Sequence, residues 1–303
     1  MSRGDAKASS NPGLIVASYG RRVLVEDRAK VRHACMIRGR KLRPVCGDRV
    51  TFTQHAQGNV VTGIEARRST LSRPDRRGRE EVLAANFDQL VVVLAPHPTP
   101  DPFITDRYLA AAQLIGVDAA IVLNKIDLGE GFDDRWLDEL ASVGYRVFRT
   151  SVRAGIGMSA LGPLCKGHLS LFVGRSGVGK SSLLNALVPE LALRTDQVSQ
   201  MSGEGRHTTT ASVLHDLPGG GAVIDSPGVR DYAPAPLDAA RVAIGYREIE
   251  ALSGECRFHN CLHKNEPDCA VRAAVACGRI SERRYESYRR LLNLMRQLRP
   301  GYV

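Results

Sequence analysis

Gly174-Arg175-Ser176-Gly177-Val178-Gly179-Lys180-Ser181 decides the fold of this 303-residue chain. The stretch fits G-x-x-x-x-G-K-[ST] in full, after an apolar run that reads as a strand (Leu169–Val173) and ahead of a helical stretch, Lys180–Leu187, that continues apolar through Ser182–Val188. Gly174, Gly177 and Gly179 let the backbone curl so that successive N–H groups face phosphate oxygens at the positive end of the helix. Lys180 is expected at the β- and γ-phosphates and the Ser181 hydroxyl on Mg²⁺. The assigned cradle runs from Gly174 through Ser182. A Gly-rich turn that holds nothing is the competing reading, and the strand–loop–helix context argues against it.

Working outward, Asn124-Lys125-Ile126-Asp127 follows the strand candidate Ala119–Leu123. An Asp at that place accepts two hydrogen bonds from the N1–H and exocyclic amine of guanine, a donor pair that adenine lacks. Asn124 would brace the loop, and the stem of Lys125 would lie along the purine face. Thr150-Ser151-Val152, ending the strand candidate Tyr145–Thr150, is expected to reach guanine O6 through a backbone N–H; an ordinary strand end is the alternative. Downstream, Asp225-Ser-Pro-Gly228 closes the strand Ala222–Ile224, offering Asp225 to the Mg²⁺ water shell and the Gly228 N–H to the γ-phosphate. Gly205-Arg-His-Thr-Thr-Thr210 occupies the place of a first switch. One of its threonines would complete the Mg²⁺ shell, with Thr209 as the candidate and Thr208 and Thr210 open.

The strands just named, with Gln89–Ala95, alternate with helix candidates Asp106–Ile115 and Asp133–Val143, which predicts a largely parallel sheet covered by helices. Ordinary GTPases present the P-loop first and the guanine loops last. Here both guanine loops precede the P-loop, so the sheet is expected to be circularly permuted.

On the amino-terminal side, Leu14–Ser18, Val23–Glu26, His33–Ile37, Asp48–Gln54 and Asn59–Ile64 are short strand candidates separated by turn residues, which suggests a small OB-like or SH3-like barrel. Arg38, Arg40, Lys41 and Arg43 crowd one connection, and Arg21 and Arg22 stand near another. Residues 67–80 are almost purely polar and read as a linker or mobile loop. The formal net charge of +10 divides into +11 over residues 1–80, −5 over 81–235 and +4 over 236–303. Two basic ends around an acidic middle suit a polyanion such as nucleic acid, against the plainer reading of a solubilising surface. With 43% hydrophobic and 24% charged residues and no apolar run near the ~18 of a membrane span, the sequence excludes an integral helical membrane protein. Met1–Ser10 lacks the apolar core of a secretory signal, so a reducing cytosol is expected, without a disulfide scaffold.

Towards the other end, Cys256-x4-Cys261-x-His263-x5-Cys269 supplies three thiolates and one imidazole, enough to close a tetrahedral structural Zn²⁺ site, with His259 and Cys277 as alternative ligands. Ser281–Leu298 has helical spacing, with Tyr285, Tyr288, Leu292, Met295 and Leu298 on one stripe. Arg283, Arg284, Arg289, Arg290 and Arg296 fall largely elsewhere, free for solvent or phosphates. Cys35, Cys46 and Cys165 read as small buried or surface residues.

Together these motifs, their order and Ala85-Asn-Phe-Asp-Gln89 before the first strand closely resemble one family over nearly the whole chain, the circularly permuted ribosome-assembly GTPases called RsgA or YjeQ. The resemblance implies a multidomain α/β protein: an OB-like RNA-binding barrel (1–68), a circularly permuted P-loop GTPase domain (69–235, with linker 69–85) and a mainly α zinc-binding domain (236–303). It favours Cys256, Cys261, His263 and Cys269 as the zinc ligands. Val229 stands where many GTPases carry a water-orienting Gln, and the resemblance gives that task to His207. It further implies GTP hydrolysis to GDP, slow without a partner, in late assembly of the small (30S) ribosomal subunit through 16S rRNA. A cytoplasmic monomer away from membranes is expected. A switch that binds GTP without hydrolysing it, and a P-loop kinase, are the competing classes; the guanine motif Asn124–Asp127 speaks against the kinase.

Overall fold

A computed structural model of the chain describes residues 10–39, 41–55, 58–75, 77–188, 212–226 and 232–298. β1 (Ser10–Tyr19), β2 (Arg22–Glu26), β3 (Arg32–Ile37), β4 (Arg49–Thr53) and β5 (Asn59–Ile64) form the first unit. Antiparallel pairs β1–β2, β2–β3, β1–β4 and β4–β5, together with the parallel pair β3–β5, close them into an OB-like barrel. Alternate side chains fill it: Ile15, Val23, Val25, Cys35, Val50, Phe52 and Val61. Gly13 lets two strands approach, since a Cβ there would collide with Val25.

The stretch expected as a linker is instead a β-hairpin, β6 (Thr70–Pro74) and β7 (Glu80–Ala85). Few apolar residues are needed to hold it. Leu71 is buried, Ser72 donates to Glu80 at 2.7 Å, and Arg73 pairs with Glu81 at 2.9 Å. The turn closes on Asp75, whose carboxylate accepts the N–H groups of Arg77 and Arg79 at 2.8 and 2.9 Å.

β8 (Gln89–Leu94), β9 (Asp118–Leu123), β10 (Arg146–Arg149), β11 (Leu169–Val173) and β13 (Ala222–Asp225) then form the expected parallel sheet, ordered β10-β9-β8-β11-β13. β8 is buried on both faces, which is why it reads as an unbroken apolar run. α1 (Pro102–Ile115), α2 (Arg135–Ser142), α3 (Leu161–Cys165) and α4 (Lys180–Leu187) accompany the sheet. α1 starts one turn before its expected start, because Asp101 caps it by accepting the Phe103 N–H at 2.8 Å and Pro102 fits the first helical position. Antiparallel β12 (Ser212–Asp216) joins β13 on one side and β1 of the barrel on the other, so eleven strands make one sheet.

A 3₁₀ segment Ala239–Gly245, α5 (Arg247–Ser253), α6 (Ala270–Ala276) and α7 (Glu282–Leu298) pack around Tyr246, Ile249, Val271, Tyr288, Leu292 and Met295. Ser281 caps α7, accepting the Arg284 N–H at 3.2 Å. One expectation for this helix fails. Arg284 is 2% exposed, held by Asp106 of α1 at 2.7 Å and Glu248 of α5 at 2.6 Å. Residues 284, 288, 291 and 295 recur at helical spacing, so Arg284 shares the face of the buried Tyr288, Leu291 and Met295.

Candidate nucleotide site and metal centre

The P-loop bends at Gly174, Gly177 and Gly179, with φ of 145°, 85° and 92°. Only glycine suits two of them twice over: a Cβ on Gly174 would meet the Val93 carbonyl and one on Gly179 the Asn124 amide. The second contact shows how the separated motifs meet. Asn124, 1% exposed, donates from Nδ2 to the Val178 carbonyl at 3.1 Å, and Lys125 Nζ donates to the Gly177 carbonyl at 2.6 Å. The guanine motif, leaving β9, thus braces the phosphate cradle leaving β11.

Arg175, Ser176 and Val178 fill the loop, Arg175 donating to the Thr99 carbonyl at 3.1 Å; Ser182 follows in the first turn of α4. Lys180 is buried and donates to the Gly174 and Arg175 carbonyls at 3.0 and 3.2 Å. Burial pushes its ammonium below the usual lysine range, opposed by Asp225. Burial pushes the Asp225 carboxyl up, opposed by Lys180 and by the Ser181 hydroxyl, which donates to Asp225 Oδ2 at 3.1 Å. Asp225 Oδ1 is buried with no hydrogen-bond partner among the described residues. A carboxylate oxygen without a partner among the described residues, beside a P-loop serine hydroxyl, is the kind of oxygen donor a hydrated Mg²⁺ takes, so the residues present fit that ion.

Ser151 is engaged within the protein. Its N–H is donated to the Ile156 carbonyl at 2.9 Å, while its hydroxyl donates to Asp127 Oδ1 at 2.5 Å and accepts the Ala154 N–H at 3.0 Å. The Ser151 hydroxyl therefore orients the Asp127 carboxylate. Thr150 adds a hydroxyl contact to Asn124 Oδ1 at 3.3 Å. Ser226, which the sequence reading passed over, fastens the end of β13 by donating to the Phe172 carbonyl at 2.7 Å. Its place beside Asp225 was the available clue. His207, Thr208, Thr209, Thr210 and Gly228 lie outside the described residues.

Far along the chain, Cys256, Cys261, His263 and Cys269 bring one donor atom each within 4.8 Å of one another. Cys256 Sγ stands 3.9 Å from Cys269 Sγ, and both sulfurs are 3.5 Å from His263 Nδ1. A tetrahedral Zn²⁺ has edges of about 3.8 Å between sulfurs and about 3.5 Å between sulfur and nitrogen, so the set fits that ion. The other imidazole nitrogen, Nε2, lies 3.1 Å from the Ser253 hydroxyl, the outer contact that aims a ligand ring. Burial holds the imidazole pKa below its usual value, favouring the neutral form that ligates. It also raises the Cys269 thiol and pushes Cys261 up to about 12, so a cation is what would make them thiolates. His259 and Cys277 are exposed and do not join the group; the Cys277 thiol donates instead to the Ala274 carbonyl at 3.4 Å.

Comparison with known proteins agrees with these features. A family profile described as RsgA GTPase matches residues 64–234. The small ribosomal subunit biogenesis GTPase RsgA of Photorhabdus laumondii is 40% identical over 301 residues, covering 95% of this chain and 86% of the relative. Its namesake in Azotobacter vinelandii is 41% identical over 298 residues, covering 95% and 87%. Among solved structures, YjeQ from Thermotoga maritima superposes with a TM-score of 0.71 at 30% identity, covering 95% of this chain and 99% of its own. YloQ, described as a circularly permuted GTPase, gives 0.69 at 25% identity, covering 99% and 100%.

Proposed function

The chain belongs to the RsgA family of circularly permuted GTPases and hydrolyses GTP, and from that membership we propose that it acts late in assembly of the small (30S) ribosomal subunit. In this reading the barrel and the carboxy-terminal unit grip 16S rRNA, and the subunit stimulates turnover. The hydrolase part of the reading is supported by the meeting of Asn124 and Lys125 with the P-loop carbonyls and of Ser181 with Asp225, which brings the separated motifs together, and the assembly part by the family membership.

Asp127, aimed by Ser151, accepts the two guanine donors. Lys180 and the Gly174–Ser182 amides neutralise phosphate charge as it shifts towards the leaving group. Ser181, Asp225 and Thr209 would hold Mg²⁺, which when bound draws charge from the phosphate oxygens; Gly228 contacts the γ-phosphate. His207 orients the attacking water, because Val229 has no polar group for it. Cys256, Cys261, His263 and Cys269 hold one structural Zn²⁺. The functional units divide at 68/69 and 235/236, and the chain works as a cytoplasmic monomer. Among the described residues no helix is long and apolar enough to cross a membrane.

GTP turnover measured alone and with purified small or large subunits tests the reading. Strong stimulation by the small subunit is expected, largely lost in His207→Ala with GTP binding retained. No stimulation by either particle would reject the assembly role, and unchanged stimulated turnover in His207→Ala would remove that residue from the mechanism.

A further inference from the structure

β1 belongs to two bodies at once. Ile15 sits in the barrel core and Val16 in the GTPase core. Residues Ser10–Leu14 pair with β4 of the barrel, whereas Ala17 and Ser18 pair with Val213 and Ser212 of β12. Val213 in turn pairs with Asp225, and Asp225 with Phe172. One row of the sheet therefore runs from the barrel residue Ala17 through Val213 to the magnesium carboxylate. Two strand spacings separate its ends, about 10 Å. Ser212 also stands only two residues after Thr210 in the sequence. At its other end β12 is gripped by the barrel again, Lys30 Nζ lying 2.8 Å from Asp216 Oδ2.

β1 ends at Tyr19, beside a cavity of about 290 Å³ lined by Gly20, Arg21, Ile37, Leu42, Arg43 and Pro44. Among the described residues its lining has two guanidinium groups and no carboxylate, which suits the phosphate of an RNA chain. We propose that β1 is a positioning strand for GTP hydrolysis: RNA engaged at its Tyr19 end bears on Asp225 through the Ala17–Val213–Asp225 row, with Lys30–Asp216 holding β12 in register. This rests on the proposed role on the ribosomal subunit and names its route. Packed interiors pass on small displacements because they have little slack, and a paired backbone row is a short path.

The Lys30–Asp216 pair gives a handle at the surface, since both side chains are more than half exposed; Lys30 Nζ also pairs with the buried Glu26 at 2.8 Å, so Asp216→Lys is the cleaner of the two single changes. At saturating small subunit, Asp216→Lys and Lys30→Glu should each lower the stimulated kcat about two- to fivefold, the range open to an exposed ion pair, with KM for GTP unchanged. The exchanged double variant should recover it. Asp216→Lys is the discriminating single change, because added positive charge would strengthen a merely electrostatic grip on RNA. Linkage supplies a second reading: the ratio of subunit affinities with a non-hydrolysable GTP analogue and with GDP should fall towards one in each single variant and return in the double. Wild-type stimulation in both single variants, or a double that recovers neither quantity, would overturn the inference. If the unaltered chain shows no stimulation at all, the assembly role itself fails and this inference falls with it.

Discussion

In the proposed mechanism Asp127 selects the base through two hydrogen bonds to guanine, and the Ser151 hydroxyl holds that carboxylate. Asp127→Asn replaces an acceptor with a donor where guanine also donates, so GTP affinity should fall roughly 10- to 100-fold while xanthine nucleotides gain. Calorimetric titration with GDP and XDP checks this, and retained guanine preference would reject the assignment. Ser151→Ala should act in the same direction but more weakly, up to about tenfold, because the carboxylate remains and only its aim is lost. The difference between the two residues also shows what sequence can reveal. Asp127 and Gly174–Ser181 are legible because their chemistry demands fixed residue types at fixed spacing. The part played by Ser151 is not, because it depends on the 151–156 turn taking up the Ser151 N–H, which no motif records.

Among the elements, α7 illustrates a different loss of information. Its apolar stripe is readable from helical spacing, yet Arg284 was sorted by its charge when its position on the helix put it inside. It meets Asp106 and Glu248 there, joining α7 to α1 of the GTPase unit, and Arg283 reinforces the joint with Asp106 at 2.8 Å and Glu139 at 2.9 Å. Arg284→Met preserves much of the volume, strands the largely buried Glu248 carboxylate and leaves Asp106 with Arg283 alone, so it should cost about 3–5 kcal/mol, read from urea unfolding. Replacing Asp106 and Glu248 with Asn and Gln as well should recover part of that loss, since no buried charge is then left alone. The β6–β7 hairpin escaped the sequence for a related reason: apart from Leu71, Leu83 and two small alanines, it is held by polar cross-strand contacts such as Arg73–Glu81 and Ser72–Glu80, which composition cannot tell from a linker. The α5–α6 connection, by contrast, is legible from its cysteines, because its packing depends on ligands more than on apolar area. Chelation, or Cys261→Ser, should lower the melting temperature and open the 254–269 segment to protease while GDP binding survives, because the nucleotide site lies on other elements. An unchanged melting curve on metal removal would show that the cluster folds without an ion.

For the molecule as a whole, the charge partition anticipates the plan of basic ends around a nucleotide-binding middle, but the single eleven-stranded sheet was beyond it. Pairing between β1 and β12 joins residues nearly two hundred positions apart through backbone groups, which leave no side-chain signature. Where the net charge does predict something is in the response to salt. If the barrel, carrying most of the +11 of residues 1–80, grips RNA phosphates, binding to small subunits should weaken linearly in log Kd against log salt. Each phosphate contact contributes a slope of roughly 0.7–0.9. Arg21→Gln with Arg43→Gln removes two cations that carry no structural ion pair among the described contacts, so the slope should fall by about 1.4–1.8 if both touch phosphate. Charge reversal at an exposed acidic-domain site, Asp133→Lys, should leave it unchanged, because among the described residues that carboxylate pairs with its neighbour Arg135, ahead of α2 and away from the barrel strands. Filter binding across a salt series separates the outcomes: a slope lowered by the barrel substitutions and not by the control places phosphate contacts at the end of β1, and equal slopes in all three proteins would move the RNA grip elsewhere.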